Sequence, residues 1–291
     1  MHAKVFVIIL NWNGKKDTLG CLSSLELSDY PKDLLSIIVV DNGSADGSPG
    51  AIHNSFPNVT LLSNSENRGF AQGNNIGAQV ARKHHADFIF FLNNDTIVEQ
   101  KTISELVRAF DRHPNAGAVS PKIFFDYKGK KSIWFAGGEI DWANMYGKHI
   151  GVNESDYGQY DQERQTGFCT GCAMMVNREV FEKVGLFDER FFAYYEDSDL
   201  SVRAKKVGFE LWYVPKARLF HKNARSGGGT GNAIQSYFIP RNRLLFAFKH
   251  APWRTRLALI REAIRFLPAK ERQGIIDFFL LRFGKGSCRF V

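Results

Sequence analysis

The stretch FFLNNDT, residues 90–96, decides the fold. An unbroken apolar run stops there on two amides, Asn93 and Asn94, and a carboxylate, Asp95. A run without alternation has no solvent-facing side, so it reads as a strand covered on both faces, the mark of a parallel sheet wrapped by helices. The strand is expected over 87–92, entered from a helix over 69–84. The same rhythm extends back to the N-terminus. Apolar strands are expected over 5–10, 35–40 and 59–62, with helices over 15–27 and just after Asp46. The first hundred residues are therefore expected to form an open α/β unit.

In such a sheet, ligands sit at the carboxyl ends of the strands, where strand order reverses. Asn11, Asp41 and Asp95 each follow a predicted strand and are expected to line one crevice. Asp41 opens DNGSADGS, where its carboxylate is placed either to accept hydrogen bonds from a ribose or base edge or to cap the next short helix, a task that also suits Ser44 or Asp46. The first strand is not followed by GxGxxG, and no P-loop occurs. A bound diphosphate must be neutralised otherwise, and a divalent cation held by Asp95 is the natural candidate.

After about residue 117 the rhythm loosens. Strands are expected within 120–125, 132–140 and 168–176, a helix over 198–207, and two strands over 210–214 and 217–220. The glycine-rich 226–232 reads as a mobile loop, and 233–250 and 253–283 have helical spacing. YYEDSDLSVRAKKVG gathers Glu196, Asp197 and Asp199 ahead of Arg203. A cap, first-turn acids and an Asp199–Arg203 pair explain two of these carboxylates. A third so close raises its neighbours' pKa, a cost unless a cation or a reactive proton uses it. His221 ends a strand before the glycine loop, in a structural role or as a metal or phosphate contact. Arg68 and Asn74 stand at a helix start that suits an anion, or serve as turn and cap residues. Cys169 and Cys172 form a CxxC without a second pair, which favours packing over zinc. Trp134, Trp142 and Tyr146 fit either a sugar-stacking surface or the core.

A chain of 291 residues that is 44% hydrophobic buries a full core, and its four cysteines are too few for a disulfide framework. No apolar run approaches the ~20 residues of a membrane span, and the opening MHAKVFVIILNWNG lacks a small-residue cleavage site, so a cytoplasmic location is expected. The net charge of +8 lies in the tail, where residues from Arg241 onward hold 12 Lys and Arg against Glu262, Glu271 and Asp277. A solvated helical surface, a nucleic-acid patch and a membrane-surface helix all fit this composition. No nucleic-acid motif accompanies the charge, so no such partner is expected. Peripheral contact with the inner face of the cell membrane is the favoured reading.

The residues VIILNWNG, VVDNGSADGS, SENRGFAQGNNIG and FFLNNDT, the block from FCTGCAMMV through WYVPKARLFH, and YFIPRNRLLFAFKH occur in order over about 4–250. Together they resemble glycosyltransferase family 2, the inverting nucleotide-sugar enzymes of the GT-A fold, and within it the rhamnosyltransferase-like branch. The resemblance implies an open mixed sheet flanked by helices, with a catalytic domain over 1–240 and a basic helical tail over 241–291. Residues 1–116 would be its nucleotide-binding half and 117–240 its acceptor-binding half. It implies transfer of a sugar, rhamnose from dTDP-rhamnose being favoured, to a glycan or lipid-linked acceptor in surface polysaccharide synthesis, with Mn²⁺ or Mg²⁺. Asp197 would be the general base, supported by Glu196. Asp95 and His221 would hold the metal. Asn11, Asp41, Arg68, Asn74, Asn94 and Arg241 would contact the nucleotide or its diphosphate. Asn93 departs from the fuller acidic motif, which keeps open a rival, a nucleotide-sugar-binding protein impaired in turnover.

Overall fold

The computed structural model describes residues 3–125, 132–222, 233–265 and 271–289. Its first half runs β1 (Val5–Asn11), α1 (Lys15–Glu26), β2 (Leu35–Asp41), α2 (Ser48–Ser55), β3 (Thr60–Ser63), α3 (Gly69–Lys83) and β4 (Phe88–Asn93). β1 lies parallel to β2 and β4, and β2 parallel to β3. Both faces of β1 are buried: Val5, Val7 and Ile9 enter one core, and Phe6 and Ile8 the other. That two-sided burial is why the strand sequences do not alternate.

The second half holds β5 (Thr96–Val98), α4 (Thr102–Arg112), β6 (Ala116–Phe125), β7 (Ile133–Phe135), β8 (Gly138–Asp141), β9 (Tyr146–His149) and β10 (Arg164–Gln165). β11 (Ala173–Asn177), α5 (Arg178–Val184), α6 (Glu196–Lys206) and β12 (Glu210–His221) complete it. The main sheet has the order β10-β12-β6-β11-β4-β1-β2-β3. β11 is inserted antiparallel between β4 and β6, and β12 runs parallel to β6. The outcome is a mixed α/β fold with a central open sheet flanked by helices.

Some expected boundaries shift, for identifiable reasons. The two strands expected over 210–214 and 217–220 are one, β12, with a register shift between Val214 and Arg218. Pro215 stands in that interval and has no N–H to give to the ladder. The 132–140 segment is divided between β7 on the main sheet and β8, which pairs with β9 in a separate two-stranded sheet. α4 was not anticipated, although its buried Ile103, Leu106, Val107 and Phe110 have helical spacing. The 226–232 stretch lies outside the described residues.

Three helices follow, α7 (Ala233–His250), α8 (Trp253–Arg265) and α9 (Arg272–Phe279). The boundary expected at 240/241 falls inside α7. Its Leu244, Leu245 and Phe246 share one buried cluster with Phe191, Val202 of α6, Leu259 of α8 and Ile275 and Phe278 of α9. The basic tail thus packs directly on the segment that leads into α6.

Candidate functional site

A cleft of about 540 Å³ opens at the carboxyl ends of β1 and β4. Parallel register places Asn11 beside Asp41 and Leu10 beside Asn93, so the polar residues that end these strands meet at one level. Asn11 Nδ2 donates to Asp41 Oδ1 at 2.6 Å, and the Ser44 N–H donates to Asp41 Oδ2 at 3.0 Å. Asn11 Oδ1 accepts from Thr18 Oγ1 at 2.7 Å and from Asn94 Nδ2 at 3.4 Å. Asp41 and Asn11 are therefore buried beneath the cleft floor, whereas Asn94 lines it. Asn42 and Asn67, which the sequence reading passed over, line it too. Asn42 Nδ2 donates to Gly69 O at 3.1 Å and to Asn67 Oδ1 at 3.2 Å, tying the end of β2 to the start of α3.

The tight NNDT turn is closed by Thr96 Oγ1 donating to Asn93 O at 2.7 Å. Antiparallel pairing of β5 with β12 then sets Thr96 against His221. That register brings His221 Nε2 to 3.1 Å from Asp95 Oδ1, across 126 positions of sequence. Both side chains are buried at the cleft wall. Burial disfavours the His221 cation, but the adjoining Cys172 and Asp95 outweigh it and lift the imidazole to about 10. Nδ1 is buried without a hydrogen-bond partner. Two neighbouring ligands of one six-coordinate ion stand about 3 Å apart when the bonds are about 2.0–2.2 Å, so the spacing of the pair suits a divalent cation that takes both carboxylate and imidazole, with His221 giving up the proton it shares with Asp95 on binding. Among the described residues no group of three or more His, Cys, Asp or Glu forms a protein cage. Such an ion would take its other ligands from water and phosphate oxygens, as hard ions in diphosphate sites do.

Glu196 and Asp197 begin α6 and line the same cleft. Asp197 Oδ2 accepts from the Gly171 N–H at 2.8 Å, and Oδ1 from the Ser198 N–H at 2.6 Å. The Asn93 N–H donates to Cys172 O at 2.9 Å, so the insertion of β11 against β4 brings this wall to the Asn93–Asp95 turn. Glu196 is buried, and its Oε2 has no hydrogen-bond partner. Burial, then the Asp197 charge, holds its carboxyl well above the ordinary range. The third acid is structural. Asp199 is buried and receives Arg203 Nε at 2.7 Å, His250 Nε2 at 2.8 Å and Lys249 Nζ at 2.6 Å.

Aromatic side chains line much of the remaining cleft. Trp134 and Tyr146 line it, whereas Trp142 is half exposed and stacks on Phe246 at 6.4 Å. His149, not foreseen, also lines it, edge-on to Trp134 at 4.5 Å. Its Nδ1 donates to Trp134 O at 3.2 Å, and burial lowers its pKa. Cys169 and Cys172 are buried free thiols, with Cys169 pushed up to about 12 by burial.

Besides Asn11 and Asp41, three expected contacts do not line the cleft. Arg68 is half exposed and pairs with Glu66 at 3.4 Å. Asn74 is buried, and its Nδ2 donates to Phe70 O one turn back at 3.0 Å. Arg241 is fully buried beneath the residues before α6, its donors spent on main-chain carbonyls and the Asn242 amide oxygen.

The profile of the family described as "Glycosyl transferase family 2" matches residues 6–185. The chain belongs to glycosyl transferase family 2. Over 241 residues it is 30% identical to the N-acetylglucosaminyl-diphospho-decaprenol L-rhamnosyltransferase of Mycobacterium tuberculosis, covering 75% of this chain and 76% of that one. It is 25% identical over 272 residues to the dTDP-rhamnosyl transferase RfbF of Shigella flexneri, covering 91% and 86%. GalNAc-T7, solved with UDP, GalNAc and Mn²⁺, superposes with a TM-score of 0.67 at 20% identity. That match covers 84% of this chain but only 48% of GalNAc-T7. At that identity the likeness shows the fold alone, which is GT-A. The family 2 match ends at residue 185, before Glu196, Asp197 and His221, so their placement rests on the geometry described above.

Proposed function

We propose that this family 2 protein is an inverting hexosyltransferase acting in surface polysaccharide synthesis. It moves a sugar, with rhamnose from dTDP-rhamnose favoured, from a nucleotide-diphosphate donor to a hydroxyl of a glycan or lipid-linked acceptor. The rhamnosyltransferases of Mycobacterium and Shigella to which the chain is similar support the donor class. The observation that carries the reading is one cleft lined both by Asp197, fixed by two backbone N–H groups, and by the Asp95–His221 pair.

Transfer from a nucleotide sugar needs a departing diphosphate stabilised and a proton removed from the attacking hydroxyl. Asp197 accepts that proton as attack proceeds, an effect of ~10²–10⁴-fold for a positioned base. A single displacement with the base opposite the leaving group inverts the anomeric centre. Glu196, buried beside Asp197 with its pKa raised by that burial, orients the acceptor beside the base. The Asn94 Oδ1 and the Asn67 amide face the nucleotide, with Asn42 holding Asn67 in place. Asp41 and Asn11 act beneath them by holding the floor rigid. Asp95 and His221 would hold a divalent ion, which when bound neutralises charge on the diphosphate.

The test is nucleoside diphosphate release from dTDP-rhamnose, UDP-hexoses and GDP-mannose with Mn²⁺ or Mg²⁺, with the product anomer read by NMR. Release with inversion is expected, lost on chelation, with Asp95→Asn shifting the ion requirement upward. Binding without release from any donor overturns the assignment in favour of a nucleotide-sugar-binding protein.

The C-terminal helices fit peripheral contact with an anionic membrane surface. Trp253, Leu257 and Ile264 of α8, Ile276 and Phe279 of α9, and Leu280 and Leu281 are exposed, with Arg254, Arg261, Arg272 and Arg282 also exposed on these segments. Among the described residues no helix is long and apolar enough to cross a membrane. Apolar side chains interleaved with arginines suit the headgroup boundary. Sedimentation with anionic liposomes is expected, and no binding at low salt rejects the contact.

A further inference from the structure

The segment entering α6 is held in a conformation that its own residues disfavour. Phe192, Tyr194 and Tyr195 have φ of 64°, 69° and 74°, the left-handed region that bulky side chains rarely adopt. Three such residues within four positions, immediately ahead of Glu196 and Asp197, persist only where the surroundings over-determine them. The surroundings are α7. Asn242 Nδ2 donates to the carbonyls of Phe191, Ala193 and Tyr194 at 2.8, 2.7 and 2.8 Å. Arg241 Nη2 donates to the carbonyls of Phe191 and Arg190 at 2.9 and 3.1 Å. Arg241 Nε donates to Asn242 Oδ1 at 3.0 Å, which turns the amide so that its NH₂ faces the loop. Both side chains are fully buried.

The same helix grips the loop's side chains. The Arg241 guanidinium lies 4.8 Å from the Phe238 ring, and Phe238 stacks on Phe192 at 4.9 Å and 8°. Beneath Arg241, its Nη1 donates to Gly284 O at 2.6 Å, and Tyr237 bonds Asp277 of α9. Asp277 Oδ2 also receives the Ser287 N–H at 2.7 Å. The chain of contacts runs from the end of the basic tail through α9 and α7 to the residue before α6.

We infer that Arg241 and Asn242 are positioning residues that hold 190–195 in the strained turn aiming Asp197 into the cleft, which makes the C-terminal helices part of the catalytic apparatus. The inference rests on the reading of Asp197 as the base. It also assigns Arg241 a different task from diphosphate contact, since each of its three nitrogens is committed within the fold.

The test uses the full chain with Asn242→Asp, which keeps the shape but turns a two-proton donor into an acceptor facing three carbonyls. Arg241→Lys is the second variant, keeping the charge without the planar fork. Hydrogen exchange is followed over 190–198, dTDP and UDP affinities are titrated with Mn²⁺, and turnover is measured on the donor the wild type accepts. A fall in kcat of at least ~10²-fold is expected, since misplacing a reacting group by about 1 Å costs that much. Nucleotide affinity should stay within about threefold, with faster exchange confined to 190–198. Unchanged exchange and kcat in both variants overturn the inference. So does a loss of nucleotide affinity equal to the loss of kcat, with exchange rising throughout, because that is the signature of general unfolding. If the wild type releases no nucleoside diphosphate, the base assignment fails by itself. The exchange arm then decides separately whether α7 holds the turn.

Discussion

Asp197→Asn separates the proposed base from the fold that carries it. The carboxylate uses one oxygen for the Gly171 N–H at 2.8 Å and the other for the Ser198 N–H at 2.6 Å. An amide has a single acceptor oxygen, so its NH₂ must face one of these N–H groups, and the lost hydrogen bond costs about 1–3 kcal/mol. For a chain of this size that lowers Tm by a few degrees and leaves the protein folded at assay temperature. The chemical step suffers more. Removing a positioned base costs ~10²–10⁴-fold in kcat, about 2.7–5.4 kcal/mol at 1.36 kcal/mol per tenfold. Asn42, Asn94 and Asp95 are untouched, so nucleoside diphosphate affinity should not change. Calorimetric titration of dTDP and UDP, scanning calorimetry and donor turnover together read all three quantities. Turnover within about tenfold of wild type would remove Asp197 from the role, because a base supplies at least ~10²-fold.

Other perturbations probe the surroundings. Glu196 has a folded pKa above its ordinary 4.5, so its stabilising contribution is complete below that value and is lost as pH rises through the folded one. Gln mimics the protonated acid at every pH. Glu196→Gln should therefore raise Tm relative to wild type more at pH 8 than at pH 4, and a pH-independent difference in thermal melts refutes this. Lys122 is fully buried with its ammonium at 2.6 Å from Asp156 and 2.8 Å from Asp161. Lys122→Met strands both acids, at a cost below the about 3–5 kcal/mol of a fully buried pair because Asp161 reaches solvent. An unchanged urea midpoint would contradict it. Gly69 has φ of 78°, and a Cβ there would stand 2.6 Å from the Phe192 ring. Gly69→Ala should cost more than about 1 kcal/mol. It should also speed hydrogen exchange at 191–195, where an unaltered rate would exclude coupling between α3 and the strained turn.

The local part of the candidate site was legible because strand ends mark themselves. VFVIILN, LSIIVVD and FIFFLN pass from apolar to polar at Asn11, Asp41 and Asn93, and parallel register sets those residues at one level. Depth within that level was not legible. Asp41 lies under the floor and Asn42, one residue on, lines the cleft, a difference decided by which side chain Asn11 and Ser44 engage. α4 shows the converse, a helical pattern plainly present in TISELVRAFDR that needed only to be read.

Period and composition by themselves determine the wrapped parallel half, the acid-rich start of α6 and the basic character of the tail, because each depends on side chains within a few residues of one another. Tertiary structure alone decided the pairings that span the chain. Insertion of β11 against β4 carries Asp197's wall to the NNDT turn, and the β5–β12 ladder delivers His221 to Asp95. Arg241 looked like a free cation for a phosphate until α7 packed it under the turn at 190–195. A guanidinium will serve an anion or a set of carbonyls equally well, and which one it meets is fixed by the packing of its helix against a turn some 50 residues away, not by its neighbours in sequence.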